Sequence, residues 1–381
     1  MAATRRATPP LLRALNERTV LEAIREGAPI SRAEISRRSG ISKPTVSLAL
    51  RSLLDAGLVR EAARGPDGPG YGAVYFEAVA EAALVLGLDL GARFVRGALC
   101  DLEGVIRARQ DLELTSADAE GATDAIVRLR ASLLDIAALD PSLVDSVVVG
   151  VPGVVAADGT LRVTENVAGL EGRRFGDELQ AALDFSVTLE NDINLAALGE
   201  QWQGVARGVA DFVFLSVGTG MGAGLVLGGE LHRGRHGAAG ELDFALVGFG
   251  ETVDPSAPQV TELAGAHAEL SAEPRAVFGA ARTGDPAARA VVDEIARRIA
   301  LHVAPVAAVA DVELVVLGGG IGANGDLLLD PVARLLAEWL PFAPRVEVST
   351  LGEAAVLTGA IAVGLEAALE NVFARRAPAP A

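Results

Sequence analysis

The chain has 381 residues, half of them hydrophobic, and one cysteine, Cys100. Such a length supports two or three domains with sizeable cores, and a single cysteine excludes an intramolecular disulfide and suits a reducing cytoplasm. The formal net charge of −17 is unevenly spread: residues 1–75 hold 12 basic and 7 acidic residues, and the rest holds 21 and 43. A phosphate backbone would therefore be met at the amino-terminal end only. The first residues carry arginine and proline without an apolar core, so no secretory leader is expected. The apolar stretch 212–229 is broken by glycines and predicts strand, turn, strand rather than a membrane span.

In chain order, Leu12, Leu15, Leu21 and Ile24 predict a first helix over 11–26, stopped by Gly27. Ser31 and Glu34 form a capping box for a short helix that Gly40 ends. Ser42 caps the next helix, with Pro44 in its first turn and Gly57 at its end. Val46, Leu50, Leu53 and Leu54 share its inner face; Thr45, Ser47, Leu48 and Arg51 look outward. Strands are expected at 58–62 and 73–77, around a Gly/Pro-rich turn at 65–72. This is the layout of a winged helix-turn-helix. Three short amphipathic helices also fit a protein-interaction module, and the turn fits an ordinary helical hairpin. The local positive balance argues against both, as does Lys43, the only lysine, at the start of the second helix of the pair.

From residue 83 the pattern becomes α/β. Strands are expected at 84–90, 95–101, 147–150, 185–190, 212–217, 224–227 and 314–317. Helices are expected at 121–139, from 194, and at 353–374. Hairpin strands followed by helices occur twice, which predicts two similar lobes with a cleft between them.

Several motifs in this body match one family in order. They are Asp89-Leu90-Gly91 with Asp101-Leu102-Glu103-Gly104, Gly150-Val151-Pro152-Gly153-Val154, Glu190-Asn191-Asp192-Ile193-Asn194, residues 215–224, His236-Gly237-Ala238-Ala239-Gly240-Glu241-Leu242, and Gly318-Gly319-Gly320-Ile321 with 325–331. The chain thereby resembles the ROK family, which groups bacterial repressors with sugar kinases. The resemblance implies an α/β fold class: an N-terminal winged helix-turn-helix, then a two-lobed actin-like/ribonuclease-H-like ATPase-type domain that clamps a sugar. The expected domains are 1–78 for the head, 79–375 for the sugar-sensing body and 376–381 for a disordered tail.

Two departures from the family separate kinase from regulator. The family's kinases build a first phosphate loop as Asp-x-Gly-Gly-Thr; here Ala92 and Arg93 replace the second glycine and the threonine. A methyl group and a long side chain hinder close backbone approach to phosphate, although a positive Arg93 would still attract it. Many relatives also hold a structural zinc through a histidine and a cysteine cluster. Phe244 stands where that histidine would be, no cysteine follows Cys100, and His232, His236, His267 and His302 lie off the family's ligand positions. No zinc is expected, ATP is not expected as a cofactor, and 248–258 should be a shortened loop.

The resemblance implies a ligand shell of Asn191, Asp192, Glu241 and Glu262, with Gly153 approaching by its backbone and His236 as a further candidate. Carboxylates and amides suit paired sugar hydroxyls. The expected function is a cytoplasmic, sugar-responsive repressor that acts as a homodimer or homotetramer on operator DNA. Phosphate contacts would come from Arg32, Arg37, Arg38, Arg51 and Arg64, and base reading from Ser42, Lys43, Thr45 and Ser47. The alternatives are an active sugar kinase with a fused head, using Asp192 as base, and a DNA-binding regulator with a vestigial cleft.

Overall fold

In a computed structural model, residues 9–63, 73–164, 167–245 and 254–374 are described. Arg64, the wing turn 66–72 and the tail 376–381 lie outside them, as does most of 248–258.

The head opens with α1 (Pro9–Gly27), then β1 (Ile30–Ser31), α2 (Arg32–Ser39), α3 (Lys43–Asp55), β2 (Val59–Glu61) and β3 (Tyr75–Ala78). The caps follow the sequence. Ser31 Oγ accepts from the Glu34 amide, Gly40 takes the left-handed conformation at the end of α2, and Ser42 Oγ accepts from the Thr45 amide. Val20, Ile24, Ile35, Val46, Leu50 and Leu53 bury the inner faces of the three helices. β1, which the sequence reading missed, is only two residues long. It pairs with β3 and makes a three-stranded sheet of order β1-β3-β2.

The first lobe contains β4 (Leu84–Leu90), β5 (Phe94–Asp101), β6 (Ile106–Glu113), α4 (Ala119–Ala137), β7 (Val144–Val151), β8 (Val154–Val155), β9 (Leu161–Arg162), α5 (Phe175–Leu183), β10 (Val187–Asn191) and α6 (Asp192–Gln203). Its sheet runs β10-β7-β4-β5-β6. The second lobe contains β11 (Phe212–Val217), β12 (Met221–Leu227), β13 (Glu230–Leu231), α7 (Ala257–Gly265), α8 (Pro274–Arg282), α9 (Pro286–Ala310), β14 (Leu314–Gly318), α10 (Gly319–Gly322), α11 (Gly325–Trp339), β15 (Arg345–Val348) and α12 (Ala355–Ala374). Its sheet runs β13-β12-β11-β14-β15. Read from its meander, each sheet has the same plan: three antiparallel strands in sequence, then two parallel strands added beside the first. The two lobes are therefore topological repeats.

Their shared layer is a helix pair. α12 lies on the first sheet, where Ile361 meets Gly87 and Val356 meets Gly150; α6 lies on the second, where Ala197 meets Gly224. The two helices cross at glycines. A Cβ on Gly359 would sit 1.8 Å from the Leu195 carbonyl oxygen, and one on Gly199 would sit 2.4 Å from that of Ala355. The segment Gly352–Val372 is long and apolar enough to span a membrane by composition. In the fold, Ile361, Leu365, Ala368 and Leu369 pack into a core instead. That core also contains Val20, Ile24, Leu50, Val85, Ala98 and Cys100, so head and body are joined by continuous apolar packing.

Candidate ligand cleft and nucleic-acid interface

Three adjacent strands of the first lobe bring the cleft residues together. Asp89 near the end of β4 lies opposite Gly150 on β7, and Gly150 lies opposite Glu190 on β10. Beyond β7 the backbone passes through Gly153 at φ +96°, where any Cβ would come within 2.7 Å of the Arg162 and Val163 carbonyl oxygens. Only glycine fits such a turn.

Asn191 has two tasks. Its Oδ1 accepts the Asn194 amide at 2.9 Å and caps α6, and its Nδ2 donates to the Gly153 carbonyl at 3.0 Å. Glu190, buried, accepts the Asn191 amide at 3.0 Å and Asn194 Nδ2 at 2.9 Å through one oxygen. Its other oxygen accepts Arg233 Nε at 2.6 Å.

Asp192 begins α6 and accepts the Ile193 amide at 2.8 Å. Burial, then the charges of Asp89 and Glu241, push its carboxyl up to about 7, against the pull of backbone hydrogen bonds. Asp89 is pushed up to about 6, chiefly by burial. Arg96 pulls it the other way but reaches it by a single bond at 3.4 Å. Glu241, after β13, is also raised, by burial and then by Asp243. Carboxylates from both lobes thus share one electrostatic environment. With the Asn191 amide, they can exchange hydrogen bonds with a polyhydroxylated ligand.

The remaining candidates face solvent. Glu262 is exposed on α7 and His236 is exposed in the segment after β13. Among the described residues, neither has a hydrogen bond to the Asn191 group. Sequence reasoning had passed over Asp89, Glu190, Arg96 and Arg233 as site residues. Asp89 and Glu190 fall inside the quoted motifs, so the signal was present. The two arginines carried none: Arg96 stands outside the quoted motifs, and Arg233 lies 43 residues from its partner Glu190.

The loop between β4 and β5 holds Ala92 and Arg93. Arg93 lies over the Phe94 ring at 5.3 Å and reaches Glu113 on β6 at 3.4 Å, toward the sheet edge opposite β10. In the second lobe, the Met221 amide donates to Asp243 Oδ2 at 3.3 Å. Of the histidines, His302 is buried with Nδ1 at 2.9 Å from the Arg298 carbonyl, while His232 and His267 are exposed. Among the described residues, no group of three or more His, Cys, Asp or Glu could hold a metal ion.

On the head, Arg32, Lys43 and Arg51 are exposed. Arg37 and Arg38 are both engaged by Glu34, whose carboxyl they hold down at about 2. The α3 hydroxyls are partly committed: Ser42 Oγ and Thr45 Oγ1 lie 2.8 Å apart, and Ser47 Oγ donates to the Lys43 carbonyl at 2.8 Å. Leu48, which is 64 % exposed, is the large apolar side chain on this face.

Comparison with known proteins bears on both parts. The ROK family model matches residues 85–253 and 257–368, and a winged helix-turn-helix DNA-binding model matches 14–60. The xylose repressor of Caldicellulosiruptor bescii is 25 % identical over 93 % of this chain and 96 % of its own. The glucokinase of Thermotoga maritima is 28 % identical over 73 % of this chain and 96 % of its own. Among solved structures, a ROK family transcriptional regulator homologous to the E. coli MLC protein superposes with a TM-score of 0.77. It covers 96 % of this chain and 99 % of its own at 23 % identity, a likeness of fold. A glucokinase of Streptomyces griseus, in complex with glucose and AMPPNP, superposes with a TM-score of 0.64 at 28 % identity, covering 74 % of this chain and all of its own. A winged head on a duplicated two-lobed body, with the motifs in order along it, makes this chain a member of the ROK family.

Proposed function

We propose that this protein is a sugar-responsive, DNA-binding transcriptional repressor. The observation that carries the reading is the hydrogen-bonded group of Asn191, Gly153 and Glu190 beside Asp192, in a body whose core is continuous with a winged head. The likeness to a xylose repressor along nearly the whole chain supports it. A neutral sugar would place hydroxyls on the Asp192 and Glu241 carboxylates and the Asn191 amide. The head would lay α3 in the major groove, with Lys43, Thr45, Ser47 and Leu48 toward base edges and Arg32 and Arg51 toward phosphates. Two heads of a homodimer or homotetramer would cover two half-sites. Sugar would act by favouring one arrangement of lobes and heads over another.

Phosphoryl transfer fits less well. It needs backbone amides aimed at phosphate oxygens, whereas Arg93 turns toward Glu113 and a carboxylate occupies the Met221 amide. The kinase reading keeps one observation in its favour: a carboxyl at about 7, as at Asp192, suits a general base. The deciding experiment measures melting temperature and operator affinity with D-xylose and D-glucose, beside ADP release from ATP. A sugar that shifts both melting and operator binding without turnover supports the repressor. Turnover abolished by Asp192→Asn would establish the kinase.

A further inference from the structure

We infer that the Glu190–Arg233 ion pair is a clasp between the lobes, which positions the two halves of the ligand shell against each other. The inference rests on the sugar-sensing reading above. Glu190 is the penultimate residue of β10 in the first sheet, and Arg233 follows β13 of the second. Their bond, at 2.6 Å, therefore crosses from one lobe to the other.

Both ends of the bond lead to the cleft. On the first lobe, the second oxygen of Glu190 holds the Asn191 amide and the Asn194 side chain. Glu190 thus fixes the turn from which Asn191 and Asp192 project. On the second lobe, Arg233 opens the segment that closes at Gly240 and Glu241. The Ala239 amide donates to the Arg233 carbonyl at 3.2 Å, and the Ala223 amide donates to the Gly240 carbonyl at 2.8 Å. Midway, Gly237 presses on the first lobe so closely that a Cβ there would stand 2.3 Å from the Val155 carbonyl oxygen. The segment is thus rooted in one lobe and seated on the other.

The two ends of the bond differ in exposure. Glu190 is almost fully withdrawn from solvent, whereas the Arg233 side chain is 52 % exposed. Losing the arginine leaves a buried carboxylate short of a partner, so breaking the pair is costly. The exposed guanidinium can still re-form with water when the lobes part. Among the described residues, Asn194 Oδ1 beside this group is buried without a hydrogen-bond partner, so one acceptor at this turn already lacks a donor. Glu190 and Arg233 are positioning residues: they act on the ligand through Asn191, Asp192 and Glu241.

The test uses the full chain with Arg233→Met, Arg233→Lys, Glu190→Gln and the Glu190→Gln/Arg233→Met double variant. D-xylose and D-glucose affinities are measured by calorimetry, melting is followed in parallel, and hydrogen exchange is read over 188–195 and 232–241. Arg233→Met should weaken sugar binding roughly tenfold or more, the effect of losing one charged hydrogen bond. It should also speed exchange in both segments at once. Arg233→Lys should restore part of the affinity, and the double variant should bind no worse than Arg233→Met, because the two changes remove one interaction. Lower melting with sugar affinity within twofold of wild type would reduce the pair to a structural bridge and overturn the clasp. If the wild-type chain binds neither sugar, the sugar-sensing reading fails. The exchange data still decide the clasp in that case: unchanged exchange at 188–195 in Arg233→Met overturns it.

Discussion

Asn191 and Gly153 are joined by a 3.0 Å hydrogen bond from the asparagine Nδ2 to the glycine carbonyl, while Asn191 Oδ1 caps α6. One side chain therefore starts the helix that carries Asp192 and fixes the turn beyond β7. Asn191→Ala should cost about 1 kcal/mol from the lost cap alone, together with sugar binding. Asn191→Asp keeps the cap oxygen and loses the donor to Gly153. It should retain melting closer to wild type while sugar affinity still falls. Equal losses of melting in both variants would show that the Gly153 bond, not the cap, holds the turn.

Asp192 gives a pH signature. Its carboxyl is raised to about 7 in the folded protein from an ordinary 3.8. The stability linked to its protonated form is complete below about 3.8 and is lost as pH rises through about 7. Asp192→Asn removes that loss. Without sugar, the variant should melt higher than wild type at pH 8, by several degrees, and match it near pH 4. One pKa unit is worth about 1.4 kcal/mol, which sets a ceiling of roughly 4 kcal/mol on the gap at pH 8. Parallel melting curves from pH 4 to 8 would refute the assignment.

The helix crossing is the next point to probe. Gly359→Ala would drive a methyl group to 1.8 Å from the Leu195 carbonyl oxygen, so α12 must move away from α6. Overpacking of this kind costs about 1–3 kcal/mol. Because α6 starts at Asp192, sugar binding should weaken beyond what melting alone explains. Calorimetry with the variant held well below its melting temperature separates the two effects.

Head and body should unfold together. Leu365, on α12, is buried in the core shared with α1 and α3, and Arg18 of α1 lies 3.9 Å from Glu366. Leu365→Ala should destabilise by about 2–5 kcal/mol, with amide exchange accelerating in α1 and α3 as well as in α12. Acceleration confined to α12 would show that the apolar junction does not couple the head.

On DNA, Arg51→Ala should lower the salt slope of operator affinity by about 1, the mark of one phosphate contact. Ser42→Ala should act differently. Ser42 caps α3, so its loss costs about 1 kcal/mol of head stability whatever it does to base reading. Glu34→Gln frees Arg37 and Arg38 from their shared carboxylate. It should tighten binding to any duplex without regard to sequence. Titration of operator and random duplexes at several salt concentrations tests all three.

The sequence specifies the head helices locally, because caps and breakers act within a few residues. Ser31, Gly40, Ser42 and Gly57 each do in the fold what their chemistry prescribes. It also determined the α/β character of the body and the family, whose motifs are local strings around strand ends. It overlooked β1, two residues that exist only because β3 pairs with them, and β6, whose exposed and polar residues give little apolar signal. Packing of the whole chain settled which sequence-distant charges meet. Nothing local ties Glu190 to Arg233, Asp89 to Asp192, or Arg93 to Glu113. His236 sits in a motif like that of Asp192, yet it is exposed. Burial and long-range pairing depend on how two sheets and a helix pair close around a cleft. Those are properties of the packed chain, so no short segment could have announced them.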